Sequence, residues 1–289
     1  MNLWEPKQRI ERSFRRSLQT IAKEIILRVG DNPSVEKIQY ALRNIAKSKA
    51  YNDFAEASAL KMATQLFDDM GKTWREAAFY NSKGNQIYEM IQKELLNKGS
   101  SFFYEQVKKN ADIIKTLPGE IANDVTSYVA KETNKGRRAS DIAKEIFEKF
   151  PAQTRARADL IARTEVSKTQ SAITELRCRQ FGVNWYVWRA VGGSGGDGRT
   201  RKSHRSMANV LVCWDEPPAP EDLFPTIGKT GRRYHNSLGH YHAGCCPNCR
   251  CYARPVINLD AFTWPMRIYR NGTIQRISRR EFSKLINAS

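Results

Sequence analysis

The sequence predicts an α+β protein: a mainly helical N-terminal region over residues 1–150, then a small α+β module over residues 151–289. Three observations carry this expectation. Apolar residues recur at three- and four-residue spacing from Pro6 to about Phe181, as helices burying one face require. Beyond Gly182 the pattern becomes aromatic and β-branched, as in strands. All six cysteines fall between Cys178 and Cys251, and all four histidines between His204 and His242, so any Cys/His chemistry belongs to the second region.

The helical region is read from its punctuation. "NPSVEKIQYALRNIA" offers Asn32 as a cap and Pro33 at the first helical position, with Val35, Ile38, Ala41, Leu42 and Ile45 on one face. "SFFYEQVKKNADIIKTLP" and "GEIANDVTSYVAKETNKG" read as two further helices, each closed by its own stop. After "NKGRRASDIAKEIFEKFP" a longer helix is expected from about Thr154 to Gln180, ended by Gly182. Along it Leu160, Thr164, Ser167 and Ser171 share a stripe whose small hydroxyl residues allow a neighbouring loop to pack close. Asp159 and Arg163 have the spacing of a surface pair, and Arg163 and Glu165 read as a solvated face.

In the second region "VNWYVWRAV" reads as a strand and "GGSGGDGRTR" as a turn or loop. "RIYRNGTIQRI" places Asn271-Gly272 between two alternating runs, a hairpin signal. Ser278 and Glu281 then stand in capping-box spacing ahead of a terminal helix.

The charge balance, 48 Lys plus Arg against 30 Asp plus Glu, gives +18 and points to a polyanionic partner, nucleic acid first. No window is apolar enough for a membrane span, and the N-terminal stretch lacks a signal-peptide core. A cytoplasm-like, reducing setting follows as the expectation. There, clustered cysteines are better read as metal ligands than as a disulfide framework.

Cys246, Cys249 and Cys251 form a C-x-x-C-x-C run, with Pro247 and Asn248 as turn formers, which can aim three thiolates at one soft ion. Tetrahedral zinc suits that donor set. The fourth ligand is His204, or one of the alternates His240, His242 and Cys245. A chain return of about forty residues from His204 costs little, because closure entropy grows slowly with length. A structural zinc is worth on the order of 10 kcal/mol, enough to hold a module rich in long loops. Strained disulfides through Cys245 and Cys246, and a cysteine nucleophile, are weaker readings. Cys178 and Cys213 read as small buried side chains, and His235 as a surface residue.

"ARADLIARTEVSKTQSAITELRCRQFGVNWYVW", "DGRTRKSHRSM" and "CPNCRC", in this order, resemble the phage Mu protein F-like minor head protein, or head-morphogenesis, family over about Arg155 to Arg254. The matching positions are Arg163, Thr164, Glu165, Trp188, Asp197, Arg199, Arg201, His204, Pro247, Asn248, Cys249, Arg250 and Cys251. The double cysteine Cys245-Cys246 is not part of that pattern. The resemblance implies a minor capsid protein of the virion, internal or portal-associated, made in host cytoplasm and acting in head assembly and DNA packaging or delivery rather than as an enzyme. Its partners would be the portal protein, major capsid or scaffolding protein, and DNA bound without sequence preference. Arg199, Arg201, Lys202 and Arg205 in one loop, and Arg267, Arg270, Arg276, Arg279 and Arg280 near the hairpin, are the candidate DNA or portal contacts. The competing class is a zinc-containing HNH-like nuclease using His204 or His242 with Asp197. A transferase reading with Glu165 as catalytic carboxylate ranks below it.

Overall fold

The computed structural model describes residues 3–29, 34–79, 89–90, 93, 101–192, 197–225, 227, 231 and 237–287. Its elements run α1 Gln8–Val29, α2 Val35–Lys47, α3 Lys49–Phe79, α4 Ser101–Thr133, α5 Ala139–Gln180, β1 Trp185–Arg189, α6 Lys202–Met207, β2 Val210–Cys213, α7 Pro220–Leu223, β3 Tyr252–Pro255, a 3-10 turn Leu259–Ala261, β4 Met266–Arg270, β5 Thr273–Ile277 and α8 Arg279–Asn287. The α+β class is as expected: among the described residues helices dominate, and a sheet is built from strands between Trp185 and Ile277.

Two compact units divide the chain, and each is discontinuous in sequence. One comprises Gln8–Gln65 and Lys98–Glu165; the other comprises Met1–Lys7, Leu66–Asn97 and Val166–Ser289. The division at residue 150 drawn from residue character cuts α5, which runs through that position without a break.

In the all-helical unit, α2 buries Ile38, Leu42 and Ile45, three of the five residues expected on its face. Its cap is Ser34, whose hydroxyl accepts the Lys37 N–H at 3.3 Å; Asn32 and Pro33 lie outside the described residues. The two helices expected on either side of Pro118-Gly119 are one, α4. Proline at 118 has no N–H for the Ile114 carbonyl one turn earlier. The buried Tyr51 on α3 donates its hydroxyl to that carbonyl, so the break leaves no unsatisfied group. The helix expected to begin near Thr154 likewise starts at Ala139 and passes Pro151, because Ile146, Phe150, Thr154 and Ala158 are buried at four-residue spacing across it. Asp159 meets α1, accepting from Gln19 at 3.0 Å and lying 3.6 Å from Arg15. Arg163 lies 3.7 Å from Glu11, and Glu165 is buried, so neither forms the solvated face that was expected.

In the second unit a five-stranded sheet has the order β3-β1-β2-β4-β5, with β2 and β4 parallel and the other pairs antiparallel. The interior strand β1, "WYVWR", lies between β3 and β2 and is buried on both faces. Strand alternation sends Trp185 and Val187 to one side, where they pack with Leu211, Met266, Ile268 and Phe282. It sends Tyr186 and Trp188 to the other side, toward His242, Trp214, His204 and Tyr241. One face of the sheet therefore has an apolar core and the opposite face carries the Cys/His residues.

The hairpin and terminal helix follow their local chemistry. Asn271 and Gly272 both take positive φ, 51° and 73°, the turn that matches strand twist. Ser278 Oγ accepts the Glu281 N–H at 3.3 Å, and the Glu281 carboxylate accepts the Ser278 N–H at 2.8 Å, which completes the capping box. The box anchors α8, whose Phe282 is fully buried against Trp185 and Trp264. Ser278→Ala is therefore expected to cost about 1 kcal/mol, read as a small drop in the unfolding midpoint.

Candidate metal centre

Four residues converge on the Tyr186–Trp188 side of the sheet. His204 comes from α6, which follows the turn after β1. In that turn Asp197 Oδ1 accepts the Thr200 hydroxyl at 2.7 Å and the Arg199 N–H at 3.1 Å. These bonds, the Thr200 hydroxyl first, hold the Asp197 carboxyl below its usual range. The cysteines come from the loop before β3. Cys249 N–H donates to the Cys246 carbonyl at 3.3 Å, Asn248 takes positive φ of 59°, and the Cys251 N–H donates to Cys249 Sγ at 3.2 Å. The turn between Cys246 and Cys249 thus points both sulfurs one way, as the Pro-Asn pair implied.

His204 Nδ1 is 3.4 Å from Cys249 Sγ and 3.5 Å from Cys251 Sγ, and its Nε2 is 3.8 Å from Cys246 Sγ. The three cysteines are 3–4% exposed and His204 1%. One ligand atom each from His204, Cys246 and Cys249 lie within 4.8 Å of one another, so this group could hold a metal ion. Burial pulls the His204 pKa down, but bonds to Cys246, Cys249 and Glu221 overcome it and raise the pKa to about 11. Cys246 is pushed up by its bond to Cys249 and by burial. A bound cation would reverse that and favour the thiolates.

Sequence reading missed the groups around the cluster. The Tyr241 hydroxyl lies 2.9 Å from His204 Nε2 and donates to both Glu221 oxygens at 2.8 Å; Ser203 Oγ donates to Glu221 at 3.2 Å. Burial raises the Glu221 pKa, and the partners His204 and Tyr241 outweigh it, bringing it to about 2. The available signal was Pro220-Glu221, a helix start with an acid inside a Pro-rich loop. Arg201 donates to Cys246 Sγ at 2.9 Å and to the Pro247 carbonyl at 3.0 Å.

The alternates stand elsewhere. His240 bonds the Pro217 carbonyl at 2.8 Å and is exposed. His242 is held by the Tyr186 hydroxyl at 3.1 Å beside the Trp214 ring, and burial lowers its pKa. Cys245 donates to Ser171 Oγ at 3.4 Å. All six cysteines are free thiols, Cys178 buried and Cys213 half-buried; His235 lies outside the described residues.

Of the other singled-out residues, Thr164 is buried, Arg250 half-buried, Pro247 and Asn248 exposed, and Leu160, expected to begin an apolar stripe, is 36% exposed. Ser167 and Ser171 are buried, and the backbone of Gly244 passes over them. Arg267 donates to the Ala208 carbonyl and is half-buried, with burial lowering its pKa. Arg199, Lys202, Arg205, Arg270, Arg276, Arg279 and Arg280 are exposed, with Arg205 bonded to the Thr200 carbonyl and Arg279 2.6 Å from Asp260.

Fold and site together define a helical protein whose C-terminal sheet carries a buried Cys/His cluster able to hold a metal ion. Residues 123–254 match the family described as phage Mu protein F like protein, and over that stretch the chain is similar to that family. The match begins in α4, upstream of the motifs that carry the resemblance, and ends at Arg254 in β3. It points to phage head morphogenesis. An uncharacterized protein of Haemophilus influenzae is 28% identical over 149 residues, which is 52% of this chain and 28% of that relative's own length. No solved structure matches. Among the described residues no helix is long and apolar enough to cross a membrane.

Proposed function

We propose that the chain is a minor head protein of a phage-type particle, internal or beside the portal, acting in head assembly and in genome packaging or delivery. The observation that carries this reading is the family match over residues 123–254, which spans His204 and all three clustered cysteines. In this reading the cluster holds zinc as a structural staple. Metal–sulfur and metal–nitrogen bonds of about 2.3 and 2.0 Å at a tetrahedral angle put sulfur and nitrogen about 3.5 Å apart; the distances of Cys249 and Cys251 to His204 Nδ1 agree with that. Ligation by His204, Cys246, Cys249 and Cys251 would close the coordination sphere.

The exposed arginines of the hairpin and α8 face DNA in this reading, neutralising phosphates without reading sequence. With +18 formal charge, binding should weaken steeply as salt rises. Replacing Arg276, Arg279 and Arg280 by Ala should flatten the slope of log K against log salt by up to about 3, measured by fluorescence anisotropy with unrelated duplexes. Head protein, coat and scaffold partners are tested by immunodetection and crosslinking in purified particles and assembly precursors; absence of the protein from both would remove the capsid role. Plasmid cleavage with divalent metal, lost in His204→Ala and Asp197→Ala, would favour the nuclease reading instead. The closed turn around Asp197 supports the structural one.

A further inference from the structure

The contacts on the far side of the His204 ring select which nitrogen faces the metal. A phenol has one proton. The Tyr241 hydroxyl stands 2.8 Å from both oxygens of Glu221, and a carboxylate at neutral pH can only accept, so that proton goes to Glu221. Toward His204 Nε2, 2.9 Å away, Tyr241 offers only lone pairs, so the hydrogen in that contact must come from Nε2. A neutral imidazole with hydrogen on Nε2 has its free pair on Nδ1, and Nδ1 is the atom facing Cys249 and Cys251. The carboxylate is itself held, because Ser203 on the same short helix as His204 donates to it. Edge-on contact with Trp188, 5.6 Å between centroids, fixes the ring plane from one side.

We propose that Glu221 and Tyr241 are positioning residues that hold His204 in its Nε2–H form, so that Nδ1, the nitrogen facing Cys249 and Cys251, is the metal-binding one. This rests on the metal reading above and goes beyond it by assigning the ligand atom and the groups that orient it. Histidine ligands that pass their second N–H to a carboxylate, directly or through a hydroxyl, bind metal more tightly because no ring rotation or tautomer change competes with ligation. Both meet His204 at Nε2, Tyr241 at 2.9 Å and Glu221 at 3.5 Å, and act through the imidazole.

The test uses the full chain, labelled with nitrogen-15 and loaded with zinc. Only four histidines contribute to its ring spectra. Two-bond proton–nitrogen correlations are expected to show His204 Nε2 carrying hydrogen and Nδ1 shifted as a metal-bound nitrogen. Tyr241→Phe keeps the ring and removes the relay; it should release zinc to a chromogenic chelator at least about 10-fold faster than wild type, with unchanged far-ultraviolet circular dichroism. Glu221→Gln should fall between the two. Zinc on Nε2, or wild-type release from a folded Tyr241→Phe, overturns the assignment while leaving the metal site intact. Wild-type protein that takes up no zinc overturns the metal reading and this one with it. If Tyr241→Phe does not fold, the wild-type spectra decide alone.

Discussion

With zinc as the proposed staple, treating the purified protein with a strong chelator is expected to lower the thermal midpoint of the sheet-bearing unit by more than about 10 °C. The reason is the smallness of what else holds the loop. Among the described residues between β2 and β3 the chain runs through α7 and the cysteine turn, and the three clustered cysteines are nearly enclosed, at 3–4% exposure. Without an ion, three thiols and an imidazole face one another at 3.4–3.8 Å with only weak S–H bonds between them. With an ion, these contacts become part of a bond network worth on the order of 10 kcal/mol. Cys249→Ser should therefore abolish stoichiometric zinc, whereas Cys213→Ser and Cys245→Ser, whose sulfurs lie outside the cluster, should retain it. Lowering the pH should release the ion as protons compete for sulfur and nitrogen. Elemental analysis with calorimetry of the same samples checks all of these; a chelated protein that melts at the holo temperature would rule out the staple.

The parts of this architecture that were legible in the sequence are those whose physics is complete within a few residues. Asn271-Gly272 needs only its own φ angles, and the Ser278–Glu281 box closes on itself. The Cys246–Cys251 turn is set by Pro247 and Asn248. Where a distant group finishes the job, the sequence misleads. Pro118 reads as a stop because the hydroxyl that satisfies the Ile114 carbonyl belongs to Tyr51, 63 residues away. Glu221 and Tyr241 were passed over for a related reason. Each is ordinary in its own neighbourhood, and only the return of the 241–251 loop to α6 makes them a pair. Arg201 reads as part of a basic loop because three of its neighbours are basic; its bond to Cys246 depends on a contact 45 residues away. The parallel pairing of β2 with β4, with β3 carried to the far edge, is a non-local choice that no strand signal encodes. Likewise α3 and α5 each give one segment to each compact unit, so a boundary read from composition had no marker to follow.

Gly244→Ala is expected to destabilise the sheet-bearing unit by about 3 kcal/mol, combining backbone strain of about 1–2 kcal/mol with overpacking of about 1–3 kcal/mol. Gly244 stands directly before Cys245-Cys246 at φ +88°, a conformation that L side chains rarely adopt. A Cβ there would sit 2.9 Å from the Cys251 carbonyl oxygen and 3.2 Å from that of Ser167, with Ser171 Cβ at 3.7 Å. Both close atoms are backbone, so neither can swing aside. Small residues on both partners let the cysteine loop lie against α5: serines on the helix and glycine on the loop. Gly239→Ala supplies the control, since it shares the positive φ, +79°, and meets nothing within 4 Å. It should cost only the conformational part, about 1–2 kcal/mol. The difference between the two, taken from urea unfolding at constant m, measures the clash alone. Because Cys251 is one of the atoms struck, Gly244→Ala should also weaken zinc retention, which Gly239→Ala should leave unchanged. Equal losses in both variants would mean that the loop does not rest on Ser167 and Ser171, and the close packing that brings the cysteines under His204 would need another cause.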